Sequence, residues 1–157
     1  RLLWMLERHQ IAPGDLELEI TESAMFRNRA NSLKLLHELH EAGLSIVLDD
    51  FGTGYSSLSL VQDLPLTKLK IDRSFVCQLD RPGPGESIIS ATLSLCRELG
   101  ITSCAEGVET KTQLKRLREL GCDFAQGYYI GRPTSALQHA AHNELDDSPA
   151  DWRTKAG

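Results

Sequence analysis

The sequence predicts an α/β protein built on a parallel sheet, and three observations carry that reading. Three stretches repeat one pattern: a helical periodicity, a glycine, then a short strand that ends in a polar residue. Two further segments, residues 16–20 and 68–72, alternate strictly between apolar and charged residues. A helical stretch separates nearly every pair of successive strands, which calls for parallel strands joined by right-handed crossovers.

In chain order, Arg1-Leu2-Leu3-Trp4-Met5-Leu6-Glu7-Arg8 reads as an amphipathic helix. It is not read as a signal peptide, because no small-residue cleavage site follows. A chain that opens on Arg, inside a helix, is expected to be a fragment. Leu16-Glu17-Leu18-Glu19-Ile20 is the first strand, with its leucines and isoleucine on one face and its glutamates on the other. Residues 32–42 form a helix closed by Gly43, and residues 44–50 a strand ending in Asp49-Asp50. Phe51-Gly52-Thr53-Gly54-Tyr55-Ser56-Ser57 follows as a tight loop, with Ser56 or Ser57 placed to cap the next helix. Lys68-Leu69-Lys70-Ile71-Asp72 is the third strand, and Arg81-Pro82-Gly83-Pro84-Gly85 is a loop by composition. A helix through Ile88, Ile89, Thr92, Leu93, Cys96 and Leu99 ends at Gly100, and residues 101–106 form the fourth strand. Thr110 with Gln113 is a capping box opening the last helix, which stops at Gly121 before a fifth strand at residues 122–126. After Ala141 the chain turns polar and acidic. Residues 1–141 are expected to be the folded portion and residues 142–157 a disordered tail.

Composition narrows the function. The 157 residues carry 17 Lys+Arg and 22 Asp+Glu, a net charge of −5, which disfavours a broad grip on DNA. No segment nears the roughly 20 apolar residues of a membrane span. Four cysteines without CxxC spacing read as reduced, mostly buried thiols, in keeping with a cytoplasmic setting.

Glu19, Asp49, Asp50, Asp72, Glu106 and Gln126 all fall at or near the carboxyl ends of the five strands, the edge where parallel α/β folds place their chemistry. Charges along one face of two strands would be costly in an open sheet with helices on both sides. At the mouth of a barrel they can hold a metal or one another, so the pattern favours a closed or partly closed barrel over a doubly wound sheet. Five strands fall short of the eight such a barrel needs.

Asp49, Asp50 and Glu19 are hard oxygen donors suited to Mg²⁺ or Mn²⁺, and neighbouring carboxylates can serve two ions. An isolated Asp-Asp pair would more often be a solvated strand end; its company of Glu19, Glu106 and Lys70 points to the metal. Lys70 reads either as an exposed lysine or as a fixed positive charge that orients a water or stabilises a phosphate. Glu106 is a candidate general base. The five histidines take no role.

The strings Glu19-Ile20-Thr21-Glu22, Asp49-Asp50-Phe51-Gly52-Thr53-Gly54-Tyr55-Ser56-Ser57, Lys70-Ile71-Asp72-Arg73-Ser74-Phe75-Val76, Glu106-Gly107-Val108-Glu109-Thr110 and Gln126-Gly127-Tyr128-Tyr129 closely resemble the EAL-domain family. These are bacterial cyclic di-GMP phosphodiesterases on a TIM-barrel-like (β/α)8 fold. The resemblance covers residues 16 to about 133 and implies that about the last five β/α units are present. It implies that Glu19, Asp49 and Asp50 are metal ligands, Glu106 the general base and Lys70 the lysine beside the catalytic water. It also implies a place for Gln126 at the mouth and stabilising roles for Glu22 and Glu109 in the loops. The reaction implied is hydrolysis of cyclic di-GMP to linear pGpG with Mg²⁺ or Mn²⁺, two ions in the complete domain, in bacterial signalling. The family also links the loop after Asp50 to a homodimer contact. The Glu-Ala-Leu strand and the strand with the metal-binding Asn do not occur in this chain, so it is expected to have little or no activity alone.

Two other classes compete. A non-catalytic module that binds cyclic di-GMP, or docks a partner, would not need the hydrolytic groups. The enolase superfamily also sets lysines and acids at barrel strand ends, but its lysine pair precedes the metal acids, whereas here Asp49 and Asp50 come first.

Overall fold

The computed structural model describes residues 1–21, 24, 29–52, 58–81 and 83–133. Within them run α1 (Leu2–Arg8), β1 (Glu17–Thr21), α2 (Arg29–Glu41), β2 (Ser45–Phe51), α3 (Leu58–Asp63), β3 (Lys68–Ile71), α4 (Arg73–Val76) with a 3₁₀ turn over Cys77–Asp80, α5 (Gly85–Leu99), β4 (Thr102–Ala105), α6 (Lys111–Leu120) and β5 (Phe124–Ala125). The strands form one five-stranded sheet in the order β1-β2-β3-β4-β5, and every pair is parallel. A doubly wound sheet reverses its strand order at a switch point. This one winds in a single direction, which is the progression of an α/β barrel, and the fold is a partial TIM-barrel-like one.

The periodicity of the strands sorts the two faces. Ile46, Leu48, Leu69, Ile71, Ala105 and Ala125 join one core cluster with Leu36, Val61, Val76, Ile89, Leu93, Cys96 and Leu117 from the helices and loops. The alternate residues stand on the inner face: Glu17 and Glu19; Ser45, Val47 and Asp49; Lys68 and Lys70; Thr102 and Cys104; and Phe124. Gly43, Gly100 and Gly121 all take positive φ just past their helices, and the Thr110–Gln113 capping box is fully formed, as the sequence predicts.

Several details differ from the sequence reading. The fifth strand is only Phe124–Ala125, because the Cys122 thiol turns to the Phe124 carbonyl at 3.1 Å and Asp123 turns to Ser103. Gly85 opens α5 rather than closing a loop. Cys96, Cys104 and Cys122 are buried, but Cys77 is exposed. In α1 only Leu6 is buried, while Leu3, Trp4 and Met5 lie open. Residues 53–57, with Gly54, Ser56 and Ser57, and the tail at 142–157 lie outside the described residues. Among the described residues no helix is long and apolar enough to cross a membrane.

Candidate active site

Lys70 sits at the centre of the inner face near the carboxyl end of β3, only 6% exposed. Its ammonium lies 2.7 Å from Glu106, 2.8 Å from Glu19 and 3.4 Å from Asp49. The parallel pairing explains this convergence: β1, β2, β3 and β4 are consecutive neighbours, so residues of one level on the inner face meet across them. Burial works to lower the pKa of Lys70, but hydrogen bonds to Glu106 and Glu19 and the charges of Glu106 and Asp49 outweigh it and leave it raised. Burial also raises the pKa of Glu106. Lys70 opposes that rise, while the Asp49 and Glu19 charges add to it.

Adjacent residues on a strand face opposite ways, so Asp49 and Asp50 cannot both reach one centre from a regular β2. The strand is irregular there: its register against β3 shifts between Leu48 and Phe51. Asp50 adopts φ +55°, a left-handed conformation that aspartate tolerates better than most residues. This bulge re-aims the second carboxylate. Asp49, Asp50 and Glu106 can then each offer an oxygen within 4.8 Å of the others, and the Asp50 amide donates to Asp49 Oδ1 at 2.9 Å. Oxygen donors of this kind could hold a hard divalent cation, and their chemistry suits one better than it suits zinc.

The other residues singled out in the sequence divide. Glu19 joins the centre through Lys70. Glu109 pairs with the Arg73 guanidinium at 2.7 Å, outside the carboxylate cluster. Gln126 stands exposed just past β5, its backbone N–H donating to the Ala105 carbonyl and its backbone carbonyl accepting from the Val108 N–H. Asp72 leaves the site altogether: it caps α4, its side chain accepting from the Ser74 amide at 3.0 Å. Glu22 lies outside the described residues. A second inner-face pair escaped the sequence reading of the site: Lys68 bonds Glu17 and stacks 5.1 Å from the centre of the Phe124 ring. The alternation of Glu17 with Glu19, and of Lys68 with Lys70, was the signal that could have found it.

The fold and the site thus define a barrel-type α/β protein with an acidic, cation-seeking centre at the carboxyl rim of its sheet. The chain belongs to the EAL domain family, whose model matches residues 1–133. Over 133 residues, 85% of its length, it is 45% identical to the bifunctional diguanylate cyclase/cyclic di-GMP phosphodiesterase MucR of Pseudomonas aeruginosa, of which it spans 19%. It superposes on the MucR phosphodiesterase structure in complex with cyclic di-GMP with a TM-score of 0.82 and 43% identity, covering 88% of this chain and 56% of that one. Klebsiella pneumoniae BlrP1, solved with manganese and cyclic di-GMP, gives a TM-score of 0.77 and 32% identity over 84% of this chain and 34% of that one.

Proposed function

We propose that residues 1–141 are the C-terminal portion of an EAL domain that hydrolyses cyclic di-GMP to linear pGpG with Mg²⁺ or Mn²⁺, two ions in the complete domain. The observation that carries this is the Lys70 centre, where one ammonium touches three carboxylates and a bulge brings Asp50 alongside. The cyclic di-GMP complexes of MucR and BlrP1 support the substrate, and the manganese of BlrP1 supports the cation.

In this reading Glu19, Asp49 and Asp50 hold the cations. A bound divalent ion supplies charge neutralisation at the phosphate and acidifies water. Glu106 takes the proton of the attacking water, and its raised pKa makes it the better acceptor. As the water oxygen bonds to phosphorus, one phosphorus–oxygen bond to the ring breaks and the departing sugar oxygen takes up a proton. Lys70, its charged form favoured by the surrounding carboxylates, orients that water between Glu19 and Glu106 and stabilises charge building on the phosphoryl oxygens. Glu106 also belongs to the oxygen cluster of Asp49 and Asp50, so it stands where proton transfer and cation binding meet. Gln126 contacts the nucleotide from the rim. Among the described residues β1 pairs with β2 alone, so its other edge is where further β/α units of a complete domain would join, and the segment after Asp50 carries a homodimer contact. Residues 142–157 are an acidic tail outside the domain, and the protein works in the cytoplasm.

The test is chromatographic: cyclic di-GMP and Mn²⁺ are given to this chain and to one extended upstream through the remaining strands. pGpG from the extended chain alone supports the proposal. No pGpG from either, with nucleotide still bound, replaces it with a non-catalytic cyclic di-GMP-binding module.

A further inference from the structure

Lys70 and Glu106 approach to 2.7 Å from two different strands, and the segments that follow those strands are cross-linked to each other. After β3 the chain runs through the Asp72 cap and α4 into the Cys77–Asp80 turn. After β4 it runs through Glu106 to Thr110 and into α6. Gln113 on α6, 3% exposed, is the link. Its carbonyl oxygen accepts from the Glu109 amide at 2.8 Å and the Thr110 amide at 3.2 Å. Its amide nitrogen donates to Asp80 Oδ2 at 2.6 Å. The Thr110 hydroxyl donates to the other oxygen, Asp80 Oδ1, at 3.2 Å. A capping box needs only the exchange between Thr110 and Gln113. Here both of its side chains also reach out to one carboxylate on the neighbouring segment.

We infer that Asp80 and Gln113 are positioning residues for the hydrolysis proposed above, holding the Glu106 segment at a fixed distance from the Lys70 strand. The segment is held at its other end too, where the Glu106 amide donates to Ile71 at 3.0 Å and the Val108 amide to Gln126 at 3.0 Å. Between those ends the stem of Arg73 crosses Gly107 so closely that a Cβ there would collide with it. Arg73 continues to Glu109, but that pair is exposed, and exposed pairs hold little. Asp80 with buried Gln113 is the firmer link, because an unmet buried amide is costly and the partners are not released lightly. The inference rests on the phosphodiesterase reading for its consequence and on the geometry alone for the brace.

The experiment uses the complete EAL domain with Asp80→Ala and Asp80→Asn; the asparagine keeps an acceptor for Gln113 and a polar partner for Thr110. Asp80→Ala is expected to lower kcat for cyclic di-GMP about tenfold or more, the scale of a slight misplacement of a reacting group, with KM within about twofold. Asp80→Asn is expected to restore most of that loss. An unchanged kcat in Asp80→Ala, or an asparagine that fails to rescue at equal Tm, overturns the inference. Amide hydrogen exchange on the same proteins separates its failure from that of the phosphodiesterase reading. Exchange at Glu106 and Val108, outside the brace itself, should quicken in Asp80→Ala and not in Asp80→Asn, even if the domain hydrolyses nothing. Equal exchange in all three proteins overturns the brace.

Discussion

Two rungs of charge stand on the same inner face of the sheet, and they differ in balance. The lower rung pairs Glu17 with Lys68 one for one and covers the ammonium with the Phe124 ring. The upper rung sets a single ammonium, Lys70, against Glu19, Asp49 and Glu106, with Asp50 brought in by a bulge. A matched pair satisfies itself and asks for nothing more. An unmatched cluster is repulsive, raises the pKa of a member, and is relieved by a bound cation. The proposed chemistry is assigned to the rung whose charge does not balance, although both rungs come from the same alternation two residues apart.

The widest separation between the rungs is expected in catalysis. In the complete domain Glu106→Gln should lower the rate of pGpG formation by about 10²–10⁴-fold, the usual worth of a general base, while Glu17→Gln on the balanced rung should keep the rate within about threefold. Equal losses from both substitutions would break the comparison. Stability comes next. Lys70→Met strips a buried cation from three carboxylates and should cost about 3–5 kcal/mol in denaturant unfolding. Lys68→Met leaves a single carboxylate, Glu17, without its ammonium, and that carboxylate is 37% exposed, so the loss should be about 1 kcal/mol or less. Measured against the wild type in the same Mn²⁺, the first loss should shrink, because the bared carboxylates bind the cation more tightly, and the second should stay unchanged. Recovery of both by the metal would erase the distinction.

How much of this was legible in the sequence depends on whether side-chain direction followed a simple period. The inward glutamates and lysines of β1 and β3, the capping box and the glycine helix ends all obey local rules and were readable. So was the barrel, because charges on one strand face have no place under a second helix layer. Asp50 was expected beside Asp49 in a carboxylate cluster and lies in one with Asp49 and Glu106, but its route there, a bulge with φ +55°, breaks the alternation that a sequence reading relies on. Asp72 was misplaced because the same alternation was carried one residue too far, onto a residue that prefers to cap a helix. Asp80 gave no signal at all. Its partners lie 30 and 33 positions away on another β/α unit, and only the packing of α6 beside the Cys77–Asp80 turn brings them together.

A smaller effect is expected from alkaline pH, and it comes from buried thiols on both faces of the sheet, Cys104 beside the rungs and Cys96 in the core behind them. Burial pushes the Cys96 and Cys104 thiols up to about 12. A thiol raised on folding leaves stability intact below its unfolded pKa of about 8.5 and erodes it as pH climbs toward the folded value. Lys70, raised as well, gives its full contribution below about 10.4 and loses it as pH rises through its folded pKa. Both act in the same direction, so the urea midpoint should hold to about pH 8.5 and then fall steadily. Iodoacetamide at pH 8 should modify exposed Cys77 and spare Cys96, Cys104 and Cys122, read by mass spectrometry of the native protein. Labelling of all four thiols would mean that both faces of the sheet open readily.

The smallest effect tests how the unbalanced rung is assembled. If the left-handed turn at Asp50 is what brings the second carboxylate to the cluster, backbone preference and charge can be varied separately there. Asp50→Asn keeps a residue that accepts positive φ and removes one negative charge. The loss of stability without metal should then be smaller than for a residue that resists the turn, while Mn²⁺ affinity falls. Asp50→Val forces a β-branched side chain into φ +55° and should cost about 1–2 kcal/mol before any metal is added. Equal stability of the asparagine and valine proteins would show that β2 can be regular at no cost. The two carboxylates would then have to point to opposite faces, and Asp50 would drop out of the cluster that sets the upper rung apart from the lower.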